Sequence, residues 1–171
     1  MVSTLEHRKN HKTLLNAFEI ADAQLKGNLE LVLVGHSAYP DVVQLVERFI
    51  SKYPNISWER DADDTMLQTL YSNCDFTVYP SIEEGFGLPI LESQWNARPC
   101  ICADTGSMNE IAAGGGAITV PITDAKALAS QIINLIHDES LYAKLSHECV
   151  TRKFKTWTDY GGELTSLMRL T

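Results

Sequence analysis

The sequence predicts an α/β fold with a Rossmann-like, doubly wound, mostly parallel sheet. Short apolar runs alternate with helix-length amphipathic stretches almost from end to end, the pattern of repeated strand–helix units. No internal repeat, low-complexity tract or linker interrupts that alternation, so residues 1–171 are expected to form one domain. The third observation is Pro80-Ser81-Ile82-Glu83-Glu84-Gly85-Phe86-Gly87-Leu88-Pro89-Ile90-Leu91-Glu92. It joins an apolar run to a helical stretch through a loop holding two glycines, the connection on which open α/β sheets build ligand sites.

The elements follow in order. Val2–Leu5 is expected to be a short strand at the start of the chain. Asn10 is expected to cap a helix carrying Leu14, Leu15, Ala17, Phe18 and Ala21 at helical spacing. Leu29–Val34 reads as a strand stopped by Gly35. Asp41–Tyr53 is a helix with Val42, Leu45, Val46, Phe49 and Ile50 on one stripe. After a brief strand at Ile56–Trp58, Asp63 caps a helix bearing Met66, Leu67, Leu70 and Tyr71. Phe76–Tyr79 reads as a buried strand. Leu88–Ala97 is a helix with Pro89 in its first turn, where the missing N–H costs nothing. A strand at Cys100–Ala103, a short helix at Met108–Ala113 and a strand at Ala117–Val120 follow. Helices at Thr123–His137, Leu141–Phe154 and Tyr160–Leu170 close the chain.

Composition excludes several classes. The net charge of −8 argues against nonspecific nucleic-acid binding. No run of about 18 apolar residues is present, so no membrane span is expected. The first residues lack the basic and apolar regions of a signal peptide, and the expected location is cytoplasmic. The sequon Asn55-Ile56-Ser57 is then a coincidence. Cys74, Cys100, Cys102 and Cys149 show no zinc spacing and are read as reduced thiols, with Cys100 and Cys102 expected on opposite faces of their strand. His36, His137 and His147 have no metal-ligand spacing either. Asp61-Ala62-Asp63-Asp64 is explained by helix capping. Neither a phosphate-binding Walker loop nor a nucleophile elbow occurs.

In doubly wound sheets ligands bind beyond the carboxyl ends of the strands. Glu6–Lys12, Gly35–Pro40 and Ser81–Gly87 each follow a strand directly and are expected to crowd one edge. His7-Arg8-Lys9-Asn10-His11-Lys12 is locally basic at a helix N-terminus, where cations oppose the helix dipole. An anion there would explain the placement, and a diphosphate would suit it. A solvated loop is the plainer reading. Backbone N–H groups at the glycine loop are donors of the same preference. Glu84 and Glu92 would repel a phosphate and are better matched to ribose or hexose hydroxyls.

Glu84-Gly85-Phe86-Gly87-Leu88-Pro89-Ile90-Leu91-Glu92 resembles the signature of retaining GT-B glycosyltransferases: a glutamate, seven residues and a second glutamate, written around E-G-F-G-L-P. Thr4-Leu5-Glu6-His7-Arg8-Lys9-Asn10-His11 resembles a bacterial variant of the same family's basic segment, with His7 in place of proline. Lys9 takes the family lysine's position, and Arg8 substitutes for an arginine usually found where Thr4 stands. The resemblance covers the C-terminal half of the GT-B architecture, whose members carry an N-terminal acceptor-binding domain.

The resemblance implies a set of roles. Arg8, Lys9 and the amides of Gly85, Phe86, Gly87 and Leu88 would hold a donor diphosphate. Glu92 would accept from ribose, and Glu84 would sit beside the transferred sugar as the catalytic carboxylate. No metal or other cofactor is implied. The donor is a nucleotide-diphosphate sugar, with GDP-mannose suggested by the bacterial variant. The resemblance implies an acceptor that is a glycan or lipid-linked glycan, met through an N-terminal domain, with the full-length enzyme peripheral at the inner membrane surface. Glu110 has either a capping or a ligand-contacting role, and Arg60 either reads a base or is an exposed arginine. A stand-alone nucleotide-sugar binding module uses the same residues and remains the alternative. An epimerase-like dinucleotide protein would need an early G-x-G-x-x-G, which is absent.

Overall fold

A computed structural model describes residues 1–169. Five strands alternate with helices: α1 His11–Gln24, β1 Leu31–Val34, α2 Pro40–Lys52, β2 Ile56–Glu59, α3 Asp64–Asn73, β3 Thr77–Tyr79, α4 Leu88–Trp95, β4 Cys100–Ala103, α5 Gly106–Ala112 and β5 Ala117–Val120. Three helices follow, α6 Ala125–His137, α7 Glu139–Thr151 and α8 Trp157–Arg169. The predicted terminal helix is therefore present as α8, and its expected last residue, Leu170, lies outside the described residues.

Among the described residues every strand pair is parallel. The hydrogen-bonded groups are β1–β2 and β3–β4–β5. The expected strand at Val2–Leu5 reduces to a single bridge, Val2 with Val34, beside which the Ser3 N–H donates to the Val34 carbonyl at 2.9 Å. The chain then enters a 3-10 turn at His7–Lys9, which ends the pairing.

The core is built as the helical stripes require. Leu14, Leu15 and Phe18 of α1 are buried, and α1 packs on α2 and α6. Helix α4 packs on α5 and α7. The β4 strand is buried along its whole length, as expected of a parallel strand covered on both faces.

Caps and thiols separate correct from incorrect expectations. Asp63 accepts from the Met66 N–H at 2.7 Å, as expected. Asn10 precedes α1 but makes no side-chain cap. Its φ of +57° turns its amide away, and Nδ2 instead donates to the Ile122 carbonyl at 3.0 Å. All four cysteines are free, with Cys100, Cys102 and Cys149 buried. Cys100 and Cys102 do not point to opposite faces. Residues two apart on a strand share a face; the Cys100 thiol donates to the Ile101 carbonyl and the Cys102 thiol to the Met108 carbonyl.

A cavity of about 760 Å³ lies between the two groups of strands. Its lining includes Gly27, Asn28, Leu31, Asn73 and Phe76, at the amino ends of β1 and β3. The segments that follow the strands gather at the opposite edge.

Candidate functional site

Three loops meet at the carboxyl edge of the sheet. The Arg8 carbonyl accepts from the Ile82 N–H at 2.7 Å and from Ser81 Oγ at 3.0 Å. Ser37 Oγ donates to the Leu5 carbonyl at 2.7 Å, and the His7 and Tyr39 rings meet edge to face at 5.2 Å. The segments predicted to converge therefore do so. The main chain of the basic turn is fastened to the glycine loop, which fixes where its side chains begin.

Glu84 is the centre of the site. Its Oε1 accepts from Lys9 Nζ at 2.5 Å, from the Tyr79 hydroxyl at 2.7 Å and from Ser81 Oγ at 2.5 Å. Its Oε2 pairs with the Arg8 guanidinium at 2.8 Å. Lys9 Nζ also donates to the Tyr79 hydroxyl at 2.7 Å. Burial alone would push the Glu84 carboxyl up, but hydrogen bonds from Lys9, Ser81, Tyr79 and Arg8 outweigh it and hold the pKa down at about 2. Burial, with Glu84 next to it, raises the Tyr79 phenol far above its ordinary value, so it stays protonated.

Arg8 differs from Lys9. The Lys9 side chain is buried, whereas that of Arg8 is about half exposed. Arg8 also pairs with Glu6 at 2.8 Å and donates to the Glu83 carbonyl at 3.3 Å. Its bond to Glu84 raises its own pKa. The basic turn ahead of α1 thus finds compensating charge inside the chain, in Glu84 and Glu6.

The glycine loop leads into α4 as expected. Gly87 takes the cap position with φ +94° and no side-chain cap. The first N–H groups of a helix have no intrahelical acceptor, so the start of α4 offers donors toward the edge. Phe86 and Leu88 flank Gly87 and are exposed, as is Gly85. Ser107 Oγ of α5 donates to the Glu84 carbonyl at 2.9 Å and braces the loop from the far side.

Glu92 stands apart from this cluster. It is exposed on α4, and its Oε2 accepts from the Tyr71 hydroxyl of α3 at 3.2 Å. Arg60 stacks over the Trp58 ring at 4.0 Å and pairs with Glu47 at 2.8 Å. Glu110 is exposed on α5. The structure therefore joins Arg8, Lys9 and Glu84 into one network, sets Gly85–Leu88 beside it and leaves Glu92 one helical turn further on.

Sequence reasoning missed Tyr79, Ser81, Tyr71 and Ser107. Tyr79 and Ser81 flank Pro80 at the end of β3, two residues apart and hence on one side of an extended chain. That spacing, ahead of Glu84, was the available signal.

A parallel α/β domain with a glycine loop, a helix N-terminus and paired cations at its carboxyl edge is a framework for anionic ligands. Residues 1–152 match the family of glycosyl transferases group 1. The O-antigen chain mannosyltransferase B of Escherichia coli is 33% identical over 144 residues, spanning 81% of this chain and 36% of that protein. The capsular polysaccharide biosynthesis glycosyltransferase CapM of Staphylococcus aureus is 29% identical over 137 residues, 78% of this chain and 35% of that one. The structure of Anabaena Alr3699/HepE in complex with UDP and glucose superposes with a TM-score of 0.75 at 21% identity, over 86% of this chain and 41% of that chain. The C-terminal domain of the group 1 glycosyl transferase LpcC from Francisella tularensis gives 0.73 at 21% identity, over 86% of this chain and 80% of that one. The chain belongs to the glycosyl transferases group 1 family and is a C-terminal domain of the GT-B fold. It spans about a third of the length of the mannosyltransferase and capsular glycosyltransferase just named.

Proposed function

We propose that this chain binds a nucleotide-diphosphate sugar and is the donor half of a retaining hexosyltransferase that transfers mannose from GDP-mannose to a glycan or lipid-linked glycan. The observation that carries the reading is the Lys9–Tyr79–Glu84–Arg8 network beside the glycine loop and the start of α4. Cations for a diphosphate and a carboxylate for sugar hydroxyls lie within one hydrogen-bonded group. Mannosyltransferase relatives and neighbours solved with UDP support the sugar and the donor class.

Arg8, Lys9 and the N–H groups of Gly85 through Leu88 meet the diphosphate. Preorganised donors of this kind act most strongly on a leaving group that gains charge. Glu84 orients the sugar and stabilises positive charge developing at its anomeric carbon. Glu92 accepts from ribose. Two cations already serve the diphosphate, so the reaction proceeds without a divalent metal. The second wall of the active-site cleft belongs to an N-terminal domain, and this chain alone catalyses little. The enzyme works in the cytoplasm, at the inner membrane surface where its acceptor is lipid-linked. Among the described residues no helix is long and apolar enough to cross a membrane.

Calorimetry against UDP, GDP and ADP, their sugars and the free nucleosides tests the reading. Lys9→Ala is expected to weaken diphosphate binding about 10- to 100-fold, since one charge-assisted contact contributes about 1.5–3 kcal/mol. Nucleoside binding should change little. Equal losses for nucleotide and nucleoside would reject the diphosphate role of Lys9.

A further inference from the structure

The donors around Glu84 are distributed unequally. Oε1 accepts three hydrogen bonds, from Lys9, Tyr79 and Ser81. All three donor residues are buried, with Lys9 at 7%, Tyr79 at 2% and Ser81 at 0% exposure. Oε2 is held by Arg8, which is half exposed and shared with Glu6 and the Glu83 carbonyl. A carboxylate oxygen has two lone-pair sites, so Oε1 is filled, and Oε2 alone keeps an exchangeable partner.

Tyr79 stands at the centre of the filled side. An ammonium has no acceptor and an ionised carboxylate has no proton. The phenol oxygen must therefore accept from Lys9 and donate to Glu84, both at 2.7 Å. Its ring belongs to β3, in register with Cys102 of β4, and lies in the hydrophobic core. The hydroxyl is thus placed by the sheet, while Glu84 is on a loop. This matters because a carboxylate that orients a sugar must be held by groups that are themselves fixed.

We propose that Tyr79 is a positioning residue: anchored in β3, its hydroxyl locks Glu84 Oε1 to Lys9 and turns Oε2 outward to accept a donor-sugar hydroxyl when Arg8 shifts to the diphosphate. The ligand half of this statement rests on the donor-binding reading above. The phenol performs no proton transfer, and its deep protonation suits a fixed donor. Diphosphate and sugar recognition become linked, because the anion that draws Arg8 away frees the oxygen that the sugar needs.

Tyr79→Phe removes one oxygen and keeps the ring in the core. Two measurements on the chain decide. The first is the Glu84 carboxyl titration, followed by carbon-detected NMR. It should rise by about half a pH unit or more from its starting point near 2, since one of four donors is lost. Tyr71→Phe, which removes the hydroxyl bonded to Glu92, should leave that titration unmoved. The second is the ratio of UDP-glucose or GDP-mannose affinity to that of UDP or GDP. It should fall about fivefold in Tyr79→Phe, while UDP and GDP affinities stay within about threefold. Ser81→Ala, which deletes another Oε1 donor, should move both measurements in the same directions and serves if Tyr79→Phe does not fold.

An unmoved Glu84 titration in both variants overturns the positioning role whatever the ligand is. A shifted titration with an unchanged sugar ratio overturns the presentation of Oε2. No nucleotide binding by the unmutated chain overturns the donor reading and the ligand half with it, while the titration still decides whether Tyr79 holds Glu84.

Discussion

Burying Lys9 beside Glu84 takes two charges out of water, and only a fully bonded arrangement recovers that cost. Deleting one partner leaves the other exposed to the full penalty. Glu84→Ala is therefore expected to destabilise the chain by about 3–5 kcal/mol. Glu92→Ala, which loses one 3.2 Å bond at an exposed carboxylate, should cost about 1 kcal/mol or less. Urea denaturation of both variants checks the order, and equal costs would contradict the buried network. The same residue gives a pH signature. Glu84's pKa is depressed from 4.5 to about 2. Its contribution is thus complete above 4.5 and is lost as pH falls toward 2, on the order of 3 kcal/mol in all. His11 acts in a higher window. Burial holds its imidazole neutral and lowers its pKa from 6.5 to about 4. The unfolded chain takes up that proton first, so stability falls as pH drops from 6.5 toward 4. Unfolding free energies measured across pH 4–7 should show this slope, and His11→Gln should flatten it.

At the scale of elements, two glycines separate the needs of the fold from those of a ligand. Gly35 ends β1 with φ +127°, and a Cβ there would meet the Ser3 carbonyl oxygen at 2.3 Å. That contact sets a Cβ, whose position the main chain fixes, against a backbone carbonyl, and no rotamer relieves it. Gly35→Ala is expected to cost more than about 2 kcal/mol, because it combines strain with displacement of the bridged N-terminal segment. Gly85 carries no positive φ, and a Cβ there meets nothing within 4 Å. Gly85→Ala should leave thermal stability within about 0.5 kcal/mol yet weaken nucleotide-diphosphate binding, if its bareness serves approach of the ligand. Unchanged binding would mean that Gly85 is spare. Elements of this kind were largely readable in advance. Cys100–Ala103 and Ala117–Val120 fall where their apolar runs place them, and the signature loop precedes its helix as its glycines and proline require. The network within the site was not readable. Lys9 and Glu84 are 75 residues apart, Asn10 and Ile122 are 112 apart, and local periodicity carries no information on such pairs. The basic turn's sequence points outward, to solvent or an anion, and its internal partners Glu84 and Glu6 become visible only in the folded chain.

At the scale of the whole molecule, the chain has a net charge of −8 but gathers Arg8 and Lys9 at the ligand edge. A diphosphate approaching it meets overall repulsion and local attraction. Screening weakens long-range repulsion more than contacts at a few ångströms, so moderate salt should weaken binding less than it would for a site built from surface lysines. The role of a metal follows from the same balance. Lys9 and Arg8 supply two positive charges at Glu84, and the start of α4 adds amide donors. A divalent ion would have to compete with Lys9 for the carboxylate and with Arg8 for the diphosphate. We therefore expect UDP or GDP to raise the unfolding temperature equally in EDTA and in Mg²⁺. Ligand at 100 times its dissociation constant stabilises the folded state by about 2.7 kcal/mol, ample for thermal unfolding to detect. Stabilisation that appears only with Mg²⁺ or Mn²⁺ would show that the chain's own cations are insufficient and would sink the metal-free reading. Stabilisation that survives EDTA but vanishes in Lys9→Ala would place the diphosphate's counter-charge in the side chain that the fold has buried beside Tyr79 and Glu84.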